Sequence, residues 1–169
     1  YQDRGPLYDL TEELERADRA FCQDPENFQP FRVEQRVSWS ASAPGAHYFL
    51  TTLSRTPEPR LLEEIQWTDA FDPATGAHIP TEELFSAGRD QVIDALLAQM
   101  KGVEAPLAQE LRDAFQFSYL CFWPDHLSVW FPAGSLPSQE HSWGWSFGYD
   151  ALSGVLRPWA VPAEENPEL

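Results

Sequence analysis

Residues 141–149 alternate without a break. Trp143, Trp145, Phe147 and Tyr149 fall on one side, and Ser142, Gly144, Ser146 and Gly148 on the other. Successive side chains of a strand point to opposite faces, so this period of two defines a strand with one aromatic face and one small, flat face. The pattern excludes a helix here, and four large rings need a second layer to cover them. The simplest reading is that the rings pack against helices as core.

Other segments repeat the period of two. Over 31–41, Phe31, Val33, Val37, Trp39 and Ala41 are expected on one buried face, against Arg32, Glu34, Arg36, Ser38 and Ser40. Pro44-Gly45 turns the chain, and 47–53 returns as an aromatic and β-branched strand. A third strand over 62–71 places Ile65, Trp67 and Phe71 together. Residues 117–123 and 127–131 read as a hairpin about Pro124, Asp125 and His126. Helical spacing appears in three places. Leu7, Leu10, Leu14, Ala17 and Phe21 form a stripe over 7–21, with Asp9 and Glu12 as a capping box. Ile93, Leu96, Leu97 and Met100 form a second stripe over 89–101, closed by Gly102. Pro106 opens a third helix that carries Leu107, Leu111 and Phe115. Thr81 to Phe85 adds a short helical turn. Helix, strands, helices, strands is the order of an α+β fold, with a largely antiparallel sheet packed by two or three helices. Its expected divisions are an N-terminal helix and loop over 1–30, a domain over 31–156, and an acidic, proline-rich and poorly ordered tail over 157–169.

The 169 residues suit one domain, and eleven Lys and Arg against twenty-seven Asp and Glu give a net charge of −16. Nucleic acid is repelled by such a surface, with no basic stripe to offset it. An anionic membrane surface is disfavoured likewise, and no apolar run is long enough to insert into a membrane. A basic partner is attracted. No catalytic motif appears. Gly144-Trp145-Ser146-Phe147-Gly148 has the letters of a nucleophile elbow, but Ser146 lies on an alternating strand with no helix after it. Neighbouring acids such as Glu63 and Glu64 point to opposite faces and cannot cooperate in sugar hydrolysis. His47, His78, His126 and His141 lack metal-ligand spacing, and His78 and His126 read as solvated turn residues. The sequence therefore gives no catalytic residue, no metal and no cofactor. Cys22 and Cys121 read as two buried thiols. The sharper alternative is one disulfide, which stabilises by about 4.7 kcal/mol in the chain-entropy model for so long a loop, and only in an oxidising compartment.

Two stretches carry a family resemblance. The first is Phe71-Asp72-Pro73-Ala74-Thr75-Gly76 leading to Leu84-Phe85 and the helix after it. The second runs from Phe117-Ser118-Tyr119-Leu120 through Leu127-Ser128-Val129-Trp130-Phe131-Pro132 and Gly134 to Phe147-Gly148-Tyr149-Asp150-Ala151-Leu152. Together with Pro44-Gly45-Ala46-His47, they resemble the RsiV-like domain family, also called DUF3298, over about 31–156. The resemblance implies a non-catalytic, extracytoplasmic α+β module of the bacterial envelope. Such modules occur as sensors in anti-sigma factors that bind lysozyme, and beside polysaccharide deacetylase domains. It implies secretion or membrane anchoring through a segment upstream of Tyr1. The loop 133–140 departs from the family pattern.

The expected partner is a basic, lysozyme-like protein, held by Asp125 and His126 on one side, by the loop from Gly134 to Glu140 on the other, and by Trp130 as an aromatic anchor. The alternative is a carbohydrate-binding accessory module for a cell-wall glycan, with exposed aromatics such as Trp130 beside the flat face of the last strand.

Overall fold

The computed structural model describes residues 15, 19, 21–26, 31–57 and 63–163. The fold is α+β, with two antiparallel sheets. The first has the order β1 (Phe31–Ala43), β2 (Ala46–Pro57), β3 (Glu63–Phe71) and β4 (His78–Ile79). The second has the order β5 (Leu120–Phe122), β6 (His126–Phe131) and β7 (Trp143–Gly148). Between them run α1 (Arg89–Gln99) and α2 (Ala105–Ala114). The expected helix over 7–21, with its capping box, lies mostly outside the described residues, although Glu15, Arg19 and Phe21 are helical.

Both helices follow their stripes. Ile93, Leu96 and Met100 of the stripe over 89–101 are buried together with Val92, while Leu97 is half-buried against the same core. Leu111 and Phe115 bury the face of α2. Arg89 locks the pair: its guanidinium donates to the carbonyls of Phe115 (3.0 Å) and Arg112 (2.5 Å), which satisfies acceptors that the end of α2 leaves open.

The two sheets share one core. Tyr48 of β2 stacks on Phe122 of β5, with ring centroids 4.5 Å apart. The buried Thr68 hydroxyl of β3 accepts from the Phe122 amide at 3.2 Å. The Tyr48 hydroxyl donates to the Ala160 carbonyl at 2.5 Å, and burial raises its pKa.

Three expectations change. First, β1 does not keep one face inward. Trp39 lies opposite Phe49 and Ala41 opposite Tyr48, so Ser40 is an extra residue in the strand. This bulge inverts the alternation. Ala41 and Ala43 enter the core, whereas Val37 is 58% and Trp39 41% exposed. Second, the chain past Leu156 is not loose over its first residues. Phe85 bridges Leu156, the Gly45 amide donates to the Trp159 carbonyl at 2.9 Å, and the Ala163 amide donates to the Ser42 carbonyl at 3.0 Å. A Cβ on Gly45 would lie 2.7 Å from the Trp159 ring, so this turn needs glycine for close approach. Residues 164–169 lie outside the described residues. Third, the expected strand over 117–123 is shorter, because Phe117–Tyr119 is a 3-10 turn. The aromatic run of β7 ends likewise at Gly148, where Tyr149–Leu152 turns into a 3-10 helix.

Both cysteines are free. Cys121 is buried in β5, which pushes its thiol up to about 12, and Cys22 is exposed, so neither the bridge nor a pair of buried thiols is formed.

Candidate functional site

Side chains directly opposite one another on antiparallel strands share a face. On β6 and β7 the pairs Leu127–Phe147, Val129–Trp145 and Phe131–Trp143 point inward. The pairs His126–Gly148, Ser128–Ser146 and Trp130–Gly144 point outward; all but Gly148 line an open groove of about 560 Å³, with Trp123 and Gln66 along its sides. The Trp130 ring lies across the glycine: a Cβ on Gly144 would come within 3.0 Å of its Cε3. The Trp130 indole N–H is buried without a hydrogen-bond partner. Trp123 is held rigidly. Its ring stacks on His126 at 5.8 Å, its Nε1 donates to Ser128 Oγ at 2.9 Å, and its carbonyl accepts from the Tyr149 hydroxyl at 2.7 Å. His126 Nδ1 lies 2.7 Å from Asp125 Oδ1, a bond that keeps the Asp125 carboxyl below its ordinary pKa.

The outer face of the first sheet differs. Its register puts Trp39 opposite Phe49, Phe49 opposite Asp69, and Phe71 opposite both His47 and His78. Phe71 packs edge-on against Phe49 (5.7 Å) and His78 (5.5 Å). Two polar chains run through this aromatic field. Trp39 Nε1 donates to Ser42 Oγ at 3.3 Å, and Ser42 Oγ lies 2.7 Å from His47 Nδ1. Trp67 Nε1 donates to Asp69 Oδ2 at 3.1 Å, and His78 Nε2 lies 3.6 Å from Asp69 Oδ1. The Asp69 side chain is 21% exposed, and no Lys or Arg among the described residues pairs with it. Burial raises its carboxyl pKa, a shift that the Trp67 bond and His78 only partly offset.

No protein-family model and no curated protein matches the chain. Solved structures do. A DUF3298 family protein from Pseudomonas aeruginosa superposes with a TM-score of 0.52 at 14% identity, over 96% of this chain and 76% of that one. A DUF3298 member from Bacteroides fragilis superposes with a TM-score of 0.53 at 8% identity, over 88% of this chain and 62% of that one. The chain folds as a DUF3298-like domain.

Within this DUF3298-like domain the site residues expected from sequence do not converge on one place. His126 and Trp130 line the groove, and Asp125 holds His126. Gly134 and Glu140 belong to the loop at the other end of β6, about 17 Å along the strand. That loop is pinned: Leu136 is buried, and the Ser138 amide donates to Glu110 of α2 at 3.0 Å. His78 is not a solvated turn residue; it sits in β4 against Asp69 and Phe71. The Trp39–Phe49–Asp69 face was missed because Val37 and Trp39 read as core. A signal was present in β2, where Tyr48 and Leu50 alternate with Phe49 and Leu53. A strand apolar on both faces is one that something covers on both sides. Among the described residues no group of three His, Cys, Asp or Glu gathers to hold a metal, and no helix is long and apolar enough to cross a membrane.

Proposed function

We propose that the domain is a non-catalytic binding domain of a bacterial envelope protein, acting outside the cytoplasm, and that it docks a basic protein on the open face of β1–β3. One observation carries the reading. The outer face of the first sheet is apolar yet open along β1: Phe49 lies between Trp39 and Asp69, and Val37 is 58% and Trp39 41% exposed beside a β2 whose Thr51 and Leu53 are buried. An apolar sheet face left partly open is the mark of a protein contact. Charge selects the partner: a chain of net charge −16 draws basic proteins. The half-buried Asp69 carboxylate already bears a desolvation cost, which an incoming Lys or Arg offsets inside a ring of Phe49, Trp67 and Phe71. The resemblance to RsiV-like domains supports the envelope setting and makes a lysozyme-like protein the first ligand to try.

Calorimetric titration of a purified lysozyme at two salt concentrations tests this. Expected is saturable heat, with an affinity that falls as salt rises and a loss of at least tenfold in affinity for Trp39→Ala and Asp69→Asn. Absence of saturable heat at either salt removes the reading. Loss on exchanging the loop 134–140, with Trp39→Ala unaffected, moves the contact to that loop.

A further inference from the structure

We propose that the groove on the outer face of β5–β7 is a second, separate site, and that it takes a neutral sugar chain, of hexose or N-acetylhexosamine units. The inference does not depend on the protein-docking face, from which it differs in chemistry. Sugars are recognised by an aromatic plane under the apolar face of the ring and by hydroxyl and amide groups at its edges. The groove supplies both. Trp130 has one ring face on the sheet at Gly144, a position where any side chain would lift it, and the ring lines the groove. Trp123 stacked on His126 makes a second plane. From His126 to Trp130 the strand advances about 13 Å, a length that suits a short oligosaccharide. Between them stand the Ser128 and Ser146 hydroxyls, with the Gln66 amide at the side.

The groove is also preorganised. Trp123 is fixed through its ring, its indole nitrogen and its carbonyl, so little side-chain freedom is lost when a ligand settles there. Its charge excludes acidic polysaccharides. Among the described residues no Lys or Arg lines it, Asp125 stands beside His126, and the whole chain is acidic.

The test is calorimetry with N-acetylglucosamine tetramer, cellotetraose and maltotetraose, and with oligogalacturonate as the acidic control. Expected is saturable binding of at least one neutral tetramer and none of the acidic one. Trp130→Ala is expected to weaken it at least tenfold, with an unchanged far-UV circular dichroism spectrum, and Trp39→Ala to leave it intact. Ser146→Ala, a mild change at an exposed position, keeps the test valid should Trp130→Ala fold poorly, and is expected to weaken binding severalfold. The proposal fails if no neutral tetramer binds, if the acidic oligomer binds as well as the neutral ones, or if sugar binding survives in Trp130→Ala.

Discussion

Trp39 stands on the outer face of the first sheet and Trp130 on that of the second, and the neighbours of these two tryptophans decide what each can do. Trp130 stands opposite Gly144, and its ring lies across the sheet among serines, a histidine and a glutamine. Trp39 stands opposite Phe49 in a field of aromatic rings around one desolvated carboxylate. A flat ring with polar edges suits a sugar, while an apolar field with a buried charge suits a protein surface. The same residue type on the same kind of strand thus yields two chemistries, because cross-strand pairing sets its surroundings.

Both faces stand on one core, and the largest expected effect tests that. Phe122→Ala removes the ring stacked on Tyr48 where the sheets meet and is expected to cost about 3–5 kcal/mol. Both faces are expected to be lost in one transition, read by chemical denaturation with far-UV circular dichroism and by tryptophan fluorescence. Two separate transitions would show that the sheets are independent. The next effect is local to the groove. Gly144→Val drives a side chain against the Trp130 ring and the Val129 carbonyl and is expected to cost about 1–3 kcal/mol as overpacking. Protein docking at Trp39 is expected to survive it.

Asp69 sharpens the contrast through pH. Its folded pKa is raised by burial. The folded protein therefore holds that proton more tightly than the unfolded chain does, and the group's favourable contribution is present below the unfolded pKa and lost as pH rises through the folded one. At neutral pH the ionised carboxylate is a cost. Asp69→Asn, which keeps an acceptor for Trp67, is expected to stabilise by about 0.5–2 kcal/mol and to flatten this part of the pH profile, measured by thermal melts from pH 3 to 8. In the wild type, docking of a basic partner is expected to weaken as pH falls through that raised value, while sugar binding at Trp130 does not follow it. The smallest effect belongs to Val37, which is 58% exposed. Val37→Thr keeps the β-branched shape and is expected to change stability by less than about 0.5 kcal/mol, yet to weaken docking measurably. A large loss of stability instead would mean that Val37 is core.

Much of the fold was legible in local sequence. The stripes of α1 and α2, the turns at Pro44-Gly45 and Asp125, and the aromatic and small faces of β7 all stand where the sequence placed them, because each depends on a short-range period. Of the candidate sites, Trp130 was legible as an aromatic beside the flat face of β7, whereas His126, expected in the turn, belongs to β6. Their separation from Gly134 and Glu140 was not legible, since neighbours in sequence lie at opposite ends of a strand.

What the sequence by itself determined was most of the element set, the α+β class and the acidic charge that selects basic or neutral ligands over anions. Tertiary structure alone decided which side of β1 is inside. One extra residue, Ser40, turns Val37 and Trp39 outward and sends Ala41 and Ala43 inward, and no local pattern announces a bulge, because it is fixed by register against β2. The docking of 157–163 was hidden for the same kind of reason. Its hydrogen bonds run to Ser42, Gly45, Tyr48 and Leu84, partners more than seventy residues away, and a proline-rich segment shows its order only once those partners are in place.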